Sequence, residues 1–323
     1  MRLTAILALI LLVAPAGDAG AQESAFPNLI PARKQFGFVL EKAPMKPRAI
    51  GFYTKGCLAG AVELPADGDA WQVMRPSRNR AWAHPNFIAF IKKLARDAKR
   101  FDGWPGLLVG DLAQPRGGPM LSGHRSHQVG LDGDIWLTPM PDHKLTRTER
   151  ETISATSMLA SKTAVNPKVW SAARVRLLKR AALSPGVERI FVHPAIKKAL
   201  CDAAGKDKRW LAKIRPYWGH HYHFHVRLRC PKGQAGCRPQ AAPPRNDRCG
   251  AEIRHWFKVL TRKPKKKRKK KAGKKRKPRP PLTLAGLPKA CTRVLAVDQP
   301  PLMKQVAPSR NGLAVPRRNP RRG

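Results

Sequence analysis

A stretch in which imidazoles alternate with core-forming residues limits this chain more than any other. It reads Trp218-Gly219-His220-His221-Tyr222-His223-Phe224-His225-Val226-Arg227. In an extended strand, side chains two residues apart share a face. His223 and His225 then project to one side, while Phe224 and Val226 point to the core. A face with two imidazoles packs poorly against apolar neighbours, so it calls for polar partners or a ligand. A second cluster can supply them: Ser122-Gly123-His124-Arg125-Ser126-His127-Gln128-Val129-Gly130-Leu131-Asp132-Gly133-Asp134. Here Asp132 and Asp134 share a strand face, and Leu131 and Ile135 take the other. If the two strands are neighbours, one sheet face gathers His223, His225 and Asp134, and His127 drops in from the loop.

His127, Asp134 and one of His223 and His225 form a nitrogen-and-carboxylate donor set. Catalytic zinc sites use three such protein ligands and keep a fourth position open. The remaining histidine can act as a base or stabilise developing negative charge. The solitary histidines, His84, His143, His193 and His255, read as structural or surface residues. Trp218 reads as core packing or as a wall of the cleft.

Periodicity places the clusters in a wider frame. Residues 85–99 carry Phe87, Ile88, Ile91 and Leu94 on one face, which predicts an amphipathic helix. Further helices are expected over 146–161, with Thr146 or Thr148 as cap, over 169–182, and over 194–204 with Pro194 at a first helical position. Strands are expected over 106–111, 131–137, 187–192 and 222–228. Helices and strands alternate without βαβ regularity, so the expected class is α+β, with a mostly antiparallel sheet floor and flanking helices.

The ends of the chain differ in character. Arg2, the apolar run 3–13, the breakers Pro15 and Gly17, and Ala19-Gly20-Ala21 predict a cleaved export signal over residues 1–21. The run is shorter than the roughly 20 residues a membrane span needs, and no later segment is apolar enough. Six cysteines follow, none in a CxxC pair. An even number in an exported chain predicts three disulfides, with 15 possible pairings. Cys230 and Cys237 are close enough to pair across a loop that contains Pro231, Gly233 and Gly236.

Sixty-four Lys and Arg against 20 Asp and Glu give a net charge of +44. Much of it lies in the near-continuous basic stretch 262–279, and a second cluster holds Arg317, Arg318, Arg321 and Arg322. In an exported protein the partners of such a stretch are anionic envelope polymers; no specific nucleic acid is expected. The alternative is a solvated spacer. A globular domain is therefore expected over 22–257, with 22–50 as an irregular leader. Residues 258–323 form a basic, Pro-rich, largely disordered extension that cannot bury enough apolar surface to offset chain entropy. If Cys291 pairs back into the domain, the basic stretch becomes a tethered loop.

The chain resembles the penicillin-insensitive murein endopeptidases, relatives of the lysostaphin, D-Ala-D-Ala metallopeptidase and hedgehog fold group. The likeness rests on both histidine clusters and on Trp71-Gln72-Val73-Met74-Arg75 with Ser77-Arg78-Asn79-Arg80. It extends through Gln114-Pro115-Arg116-Gly117-Gly118, Arg189-Ile190-Phe191-Val192 with Pro194-Ala195-Ile196, and Val226-Arg227-Leu228-Arg229-Cys230-Pro231. It covers roughly residues 30–257.

The resemblance implies one zinc ion per chain, held by His127, Asp134 and His225, with His223 catalytic and His220 assisting. His124 matches a histidine that supports a second metal in some members. Residues 161–165 lack the Asp-x-x-His that site also uses, so His124, like Asp132, is expected beside the centre. The implied disulfides are Cys57–Cys291, Cys201–Cys249 and Cys230–Cys237. The implied activity is periplasmic hydrolysis of D-alanyl–meso-diaminopimelyl cross-links in murein, without a serine nucleophile and so insensitive to β-lactams. Arg75, Arg78 and Arg80 are candidates to bind substrate carboxylates, or to form surface salt bridges. The rival functions are a D,D-carboxypeptidase acting on stem peptides and a non-catalytic murein-binding module.

Overall fold

The structure is a computed structural model and describes residues 29–245, 249–263 and 280–298. The expected signal over 1–21, residues 264–279 of the basic stretch, and the chain beyond 298 lie outside the described residues.

In chain order the elements are α1 (Ala32–Gly37), β1 (Arg48–Phe52), β2 (Lys55–Ala59), β3 (Val62–Glu63), β4 (Asp67–Gly68), β5 (Trp71–Val73), β6 (Trp82–Ala83) and α2 (Pro85–Phe101). Then come β7 (Leu107–Val109), β8 (Asp132–Pro139), α3 (Arg147–Thr152), α4 (Ala172–Leu183), β9 (Val187–Val192) and α5 (Pro194–Ala203). The chain closes with β10 (Ile214–Pro216), β11 (His223–Leu228), α6 (Ala251–Thr261) and α7 (Ala290–Ala296). Among the described residues no helix is long and apolar enough to cross a membrane.

Seven strands form the main sheet in the order β10-β9-β11-β8-β7-β5-β4. The β10–β9 and β5–β7 pairs are parallel and the other four antiparallel, so the class is α+β with a mostly antiparallel sheet. At its centre β11 lies antiparallel to β8, with His225 opposite Asp134 and Arg227 opposite Asp132. Alternation then separates the two faces: Ile135, Phe224 and Val226 are fully buried among Phe87, Ile91 and Leu94 of α2 and Leu177 and Leu178 of α4. The polar set is thereby gathered on the opposite face of β8 and β11.

Two helices begin with the same device. In His84-Pro85 and His193-Pro194, the histidine is the N-cap and proline fills the first helical position, where a missing N–H costs nothing. The imidazole Nδ1 accepts the backbone N–H two residues on, from Asn86 at 3.2 Å and Ala195 at 3.2 Å. His84 and His193 are therefore structural, while His143 and His255 are exposed on the surface.

The helix expected over 146–161 is shorter. Thr146 and Glu149 make a reciprocal capping box, but α3 ends at Thr152. The following Ile153-Ser154-Ala155-Thr156-Ser157 has β-branched and hydroxyl side chains that favour other backbone states. The carbonyl of Ile153 accepts from Arg75 Nη2 at 2.7 Å instead of continuing the helix. The helix expected from 169 starts at Ala172, because the Asn166 carbonyl takes the N–H groups of Val169 and Trp170 in a turn.

Short helices also form toward both ends of the described residues. In the expected leader, α1 buries Ala32 and Phe36. At the other end α6 runs to Thr261, and residues 280–298 return to the body. Cys291 bonds Cys57 of β2, and Cys201–Cys249 and Cys230–Cys237 complete the three pairs the resemblance implies. Phe36, Cys57, Leu287, Cys291 and Val294 form a second core. Buried Arg116 closes the C-terminal end of α7, its Nη1 donating to the carbonyls of Val294, Leu295 and Val297 at 2.9, 2.9 and 2.7 Å. Gly118 next to it has φ +74°, and a Cβ there would lie 2.2 Å from the Phe36 ring.

Candidate metal centre

Three donor atoms converge where β8, β11 and the loop before β8 meet. His127 Nε2 lies 3.2 Å from His225 Nδ1 and 3.5 Å from Asp134 Oδ1, and His225 Nδ1 lies 3.2 Å from that same oxygen. The outward nitrogens fix the tautomers. His127 Nδ1 donates to the Leu112 carbonyl at 3.0 Å, and His225 Nε2 donates to Asp132 Oδ1 at 2.7 Å. Both inward nitrogens therefore present lone pairs to one another. Asp134 Oδ1 is buried and accepts no hydrogen bond. Lone pairs facing across about 3 Å with a carboxylate oxygen beside them repel unless a cation lies among them.

The spacing fits. Tetrahedral ligands at 2.0–2.1 Å from a common ion lie about 3.3–3.4 Å apart, close to the three separations here. His124 belongs to the same cluster: ligand atoms of His124, His127 and Asp134 all lie within 4.8 Å of one another. Its Nδ1 is 3.5 Å from Asp134 Oδ2, and its Nε2 contacts Asp111 Oδ2 at 3.0 Å.

The backbone and charges are arranged around this set. His127 has φ +69°, in the left-handed region that non-glycine residues seldom occupy. Asp132 is fully buried and is not one of the three converging donors; it holds two of them. It accepts from His225 Nε2 and from Arg227 Nε, both at 2.7 Å, and from the His127 backbone N–H at 3.4 Å. Burial works to raise the Asp132 and Asp134 pKa values, and the surrounding positive groups overcome it. Arg227 and His225 hold Asp132 below the carboxylate range, and His223, His127 and His124 hold Asp134 there. Burial lowers the His225 pKa, but the Asp132 and Asp134 carboxylates on either side of the ring raise it more, for a net increase, so the site draws positive charge.

His223 and His220 lie beside the donors. His223 Nε2 is 3.5 Å from Asp134 Oδ2, and its Nδ1 is buried without a partner. The His220 ring is 5.0 Å from that of His223, and its Nδ1 donates to the Trp218 carbonyl at 3.0 Å. Burial lowers both pKa values; that of His220 falls to about 3, with the His225 and His223 charges adding to the effect, so His220 is neutral at pH 7, while the Asp134 charge opposes the fall at His223. An imidazole with one N–H and one bare nitrogen can donate one hydrogen bond and accept another.

A cleft of about 290 Å³ opens on this set, lined by Asp134, His124, His223, Tyr222, Arg75 and Arg78 among others. The three arginines differ. Arg75 is spent on the Arg150 and Ile153 carbonyls, and Arg80 on Asp111 and Ser122. Arg78 contacts Asp111 through Nη1 alone, and its side chain is 48% exposed. Asp111, the partner shared by Arg78 and Arg80, is buried, and no motif in the sequence points to it. The signal was an acidic residue at the end of the expected 106–111 strand in a chain that is poor in acids. Trp218, expected slightly more as core packing, is 62% exposed.

Residues 49–296 match the family model described as penicillin-insensitive murein endopeptidase. Proteins of that name are similar to this chain. One from Haemophilus influenzae is 46% identical over 214 residues, 66% of this chain and 74% of the relative. One from Pectobacterium atrosepticum is 45% identical over 212 residues, 65% and 75% of the two chains. One from Salmonella paratyphi B is 40% identical over 233 residues, 71% and 84%. With the match covering most of the chain, this protein belongs to the penicillin-insensitive murein endopeptidase family.

Proposed function

We propose that this chain is an exported zinc peptidase that hydrolyses D-alanyl–meso-diaminopimelyl cross-links in murein. The observation that carries the reading is the inward triangle of His127 Nε2, His225 Nδ1 and Asp134 Oδ1, two lone pairs and an orphaned carboxylate oxygen beside an open cleft. The names of the relatives support the substrate. These three residues would hold one zinc ion, with His124 next to Asp134. When bound, zinc supplies Lewis-acid polarisation of a peptide carbonyl and makes water acidic enough to attack near neutral pH.

The chain's own residues do the rest. Asp132 holds His225 in the tautomer that turns Nδ1 inward, and the Leu112 carbonyl does the same for His127. His223 lines the cleft and would donate an imidazole N–H to the developing oxyanion, with His220 next to it. Arg78 retains free guanidinium N–H groups for a substrate carboxylate. Residues 1–21 act as the export signal and place the mature protein in the periplasm. The basic stretch 262–279 meets anionic envelope polymers.

The test is bound-zinc content measured together with digestion of cross-linked muropeptide dimers, wild type against His225→Ala. Loss of both zinc and dimer cleavage is expected. Full dimer cleavage by a metal-free His225→Ala protein would refute the reading. Release of free D-alanine from monomeric stems in place of dimer cleavage would assign a carboxypeptidase.

A further inference from the structure

Beside the candidate metal centre lies an aromatic run that the peptide chemistry leaves unused. β10 ends at Pro216, and the next residues, Tyr217 and Trp218, are 40% and 62% exposed. Their rings stack at 5.7 Å with 28° between planes. Tyr217 also makes edge contacts with His220 at 5.7 Å and Trp256 at 5.8 Å. The run therefore extends from the His220 ring, next to His223, out to solvent.

The pair is held in place. The Tyr217 N–H donates to the Val192 carbonyl at 2.8 Å, the Trp218 carbonyl accepts from His220 Nδ1, and the His220 carbonyl accepts from the His193 N–H at 2.8 Å. Between them Gly219 turns the chain at φ +87°, with nothing within 4 Å of where its Cβ would be. An exposed aromatic pair held next to His220, one ring away from the cleft-lining His223, is a prepared contact surface rather than packing.

We propose that Tyr217 and Trp218 are a stacking subsite for N-acetylhexosamine rings of the glycan strand. This rests on the murein reading above. Murein is sugar strands joined by short peptides. A methyl group or an ammonium on those peptides can touch an indole face, but neither is broad enough to cover the Tyr217–Trp218 pair. A pyranose ring offers a flat C–H face to the electron-rich ring, with its hydroxyl and acetamido groups at the rim free to reach water or polar side chains. The lining of the peptide cleft reaches His223, and the aromatic run begins at His220, whose ring is 5.0 Å away. One substrate can thus place its peptide over the donors and its sugar on Trp218.

The test uses the full chain, with Trp218→Ala and Trp218→Phe, on two cross-linked dimers. One keeps its disaccharides, and the other has been stripped of sugar by an amidase. Trp218→Ala should raise KM about fivefold or more on the sugar-bearing dimer, with kcat within about twofold, and leave the sugar-free dimer unchanged. Trp218→Phe should recover most of the loss. Wild type should bind N-acetylglucosamine tetramer in a saturation-transfer NMR experiment, and Trp218→Ala should not. Equal loss on both dimers assigns Trp218 to the peptide or the loop and overturns the proposal, as does no loss on either. If wild type cleaves neither dimer, the murein reading fails, and tetramer binding alone then decides: bound by wild type and lost in Trp218→Ala supports the sugar subsite, and any other result overturns it.

Discussion

Replacing Asp132 with Asn tests whether the centre is braced from behind. Asp132 Oδ1 accepts from both His225 Nε2 and Arg227 Nε at 2.7 Å, and its other oxygen faces the His127 N–H at 3.4 Å. Every approach is from a donor. An amide keeps one acceptor oxygen and turns an N–H₂ group toward another donor in either orientation. It also removes the charge that makes His225 a better ligand. Loss of such a bracing carboxylate weakens metal affinity by about 10–100-fold, or roughly 1.4–2.7 kcal/mol. The conservative change is preferred because Asp132→Ala would leave the Arg227 guanidinium buried without its carboxylate, costing about 3–5 kcal/mol. Zinc affinity would be read by competition with a chelating dye, and the fold checked by thermal melting of the metal-free protein. Affinity within about twofold of wild type, in a variant that still folds, would refute the bracing of His225 and with it the inward role of its Nδ1.

Other outcomes follow from the same geometry. Burial, with the His221 charge adding to it, depresses the His193 pKa from 6.5 to about 4. The unfolded chain then binds a proton that the folded chain refuses, so stability falls as pH drops from about 6.5 to about 4, by roughly 3 kcal/mol at most. Denaturant melts of His193→Asn, which keeps a capping acceptor, should lose that part of the slope. Arg116→Met strands three carbonyls at the C-terminal end of α7 and should cost about 2–4 kcal/mol, with earlier proteolysis near residues 290–298. Gly118→Ala places a methyl against the Phe36 ring at positive φ and should lower stability by about 2 kcal/mol or more in the same melts. Exchanging 264–279 for a Gly/Ser segment of equal length should leave turnover of small soluble muropeptides within about twofold while weakening retention on anionic polymers.

The centre was legible because strand alternation and donor chemistry are both local. His223-Phe224-His225-Val226 states its two faces in four residues, and Asp132-Gly133-Asp134 does the same on the neighbouring strand. Register was the missing quantity, and His225 opposite Asp134 supplies it. The long helices were legible by period. The end of α3 was not, because it is decided by a carbonyl accepting from Arg75, 78 residues away. The return of residues 280–298 was hidden for a similar reason. A basic, proline-rich stretch reads as extension, and the Cys57 bond, the Arg116 contacts and packing against Phe36 bring the next helix home.

Asp111 shows where reading from sequence stops. It stands alone in its segment, with no spacing motif around it. Yet its carboxylate draws Arg78 and Arg80, about thirty residues upstream, and His124, thirteen downstream, to one point 3.0 Å from a histidine that itself faces Asp134. Burial works to raise its pKa, but His124 and Arg80 hold it well below the carboxylate range, so it stays charged. A buried charge of that kind survives only with several partners, so its presence fixes the positions of both arginines and the histidine together. Arg80 is thereby taken out of competition for substrate, and Arg78 is left half satisfied at the mouth of the cleft. The choice of which arginine can greet a substrate carboxylate is made by Asp111, a residue that need touch neither metal nor substrate.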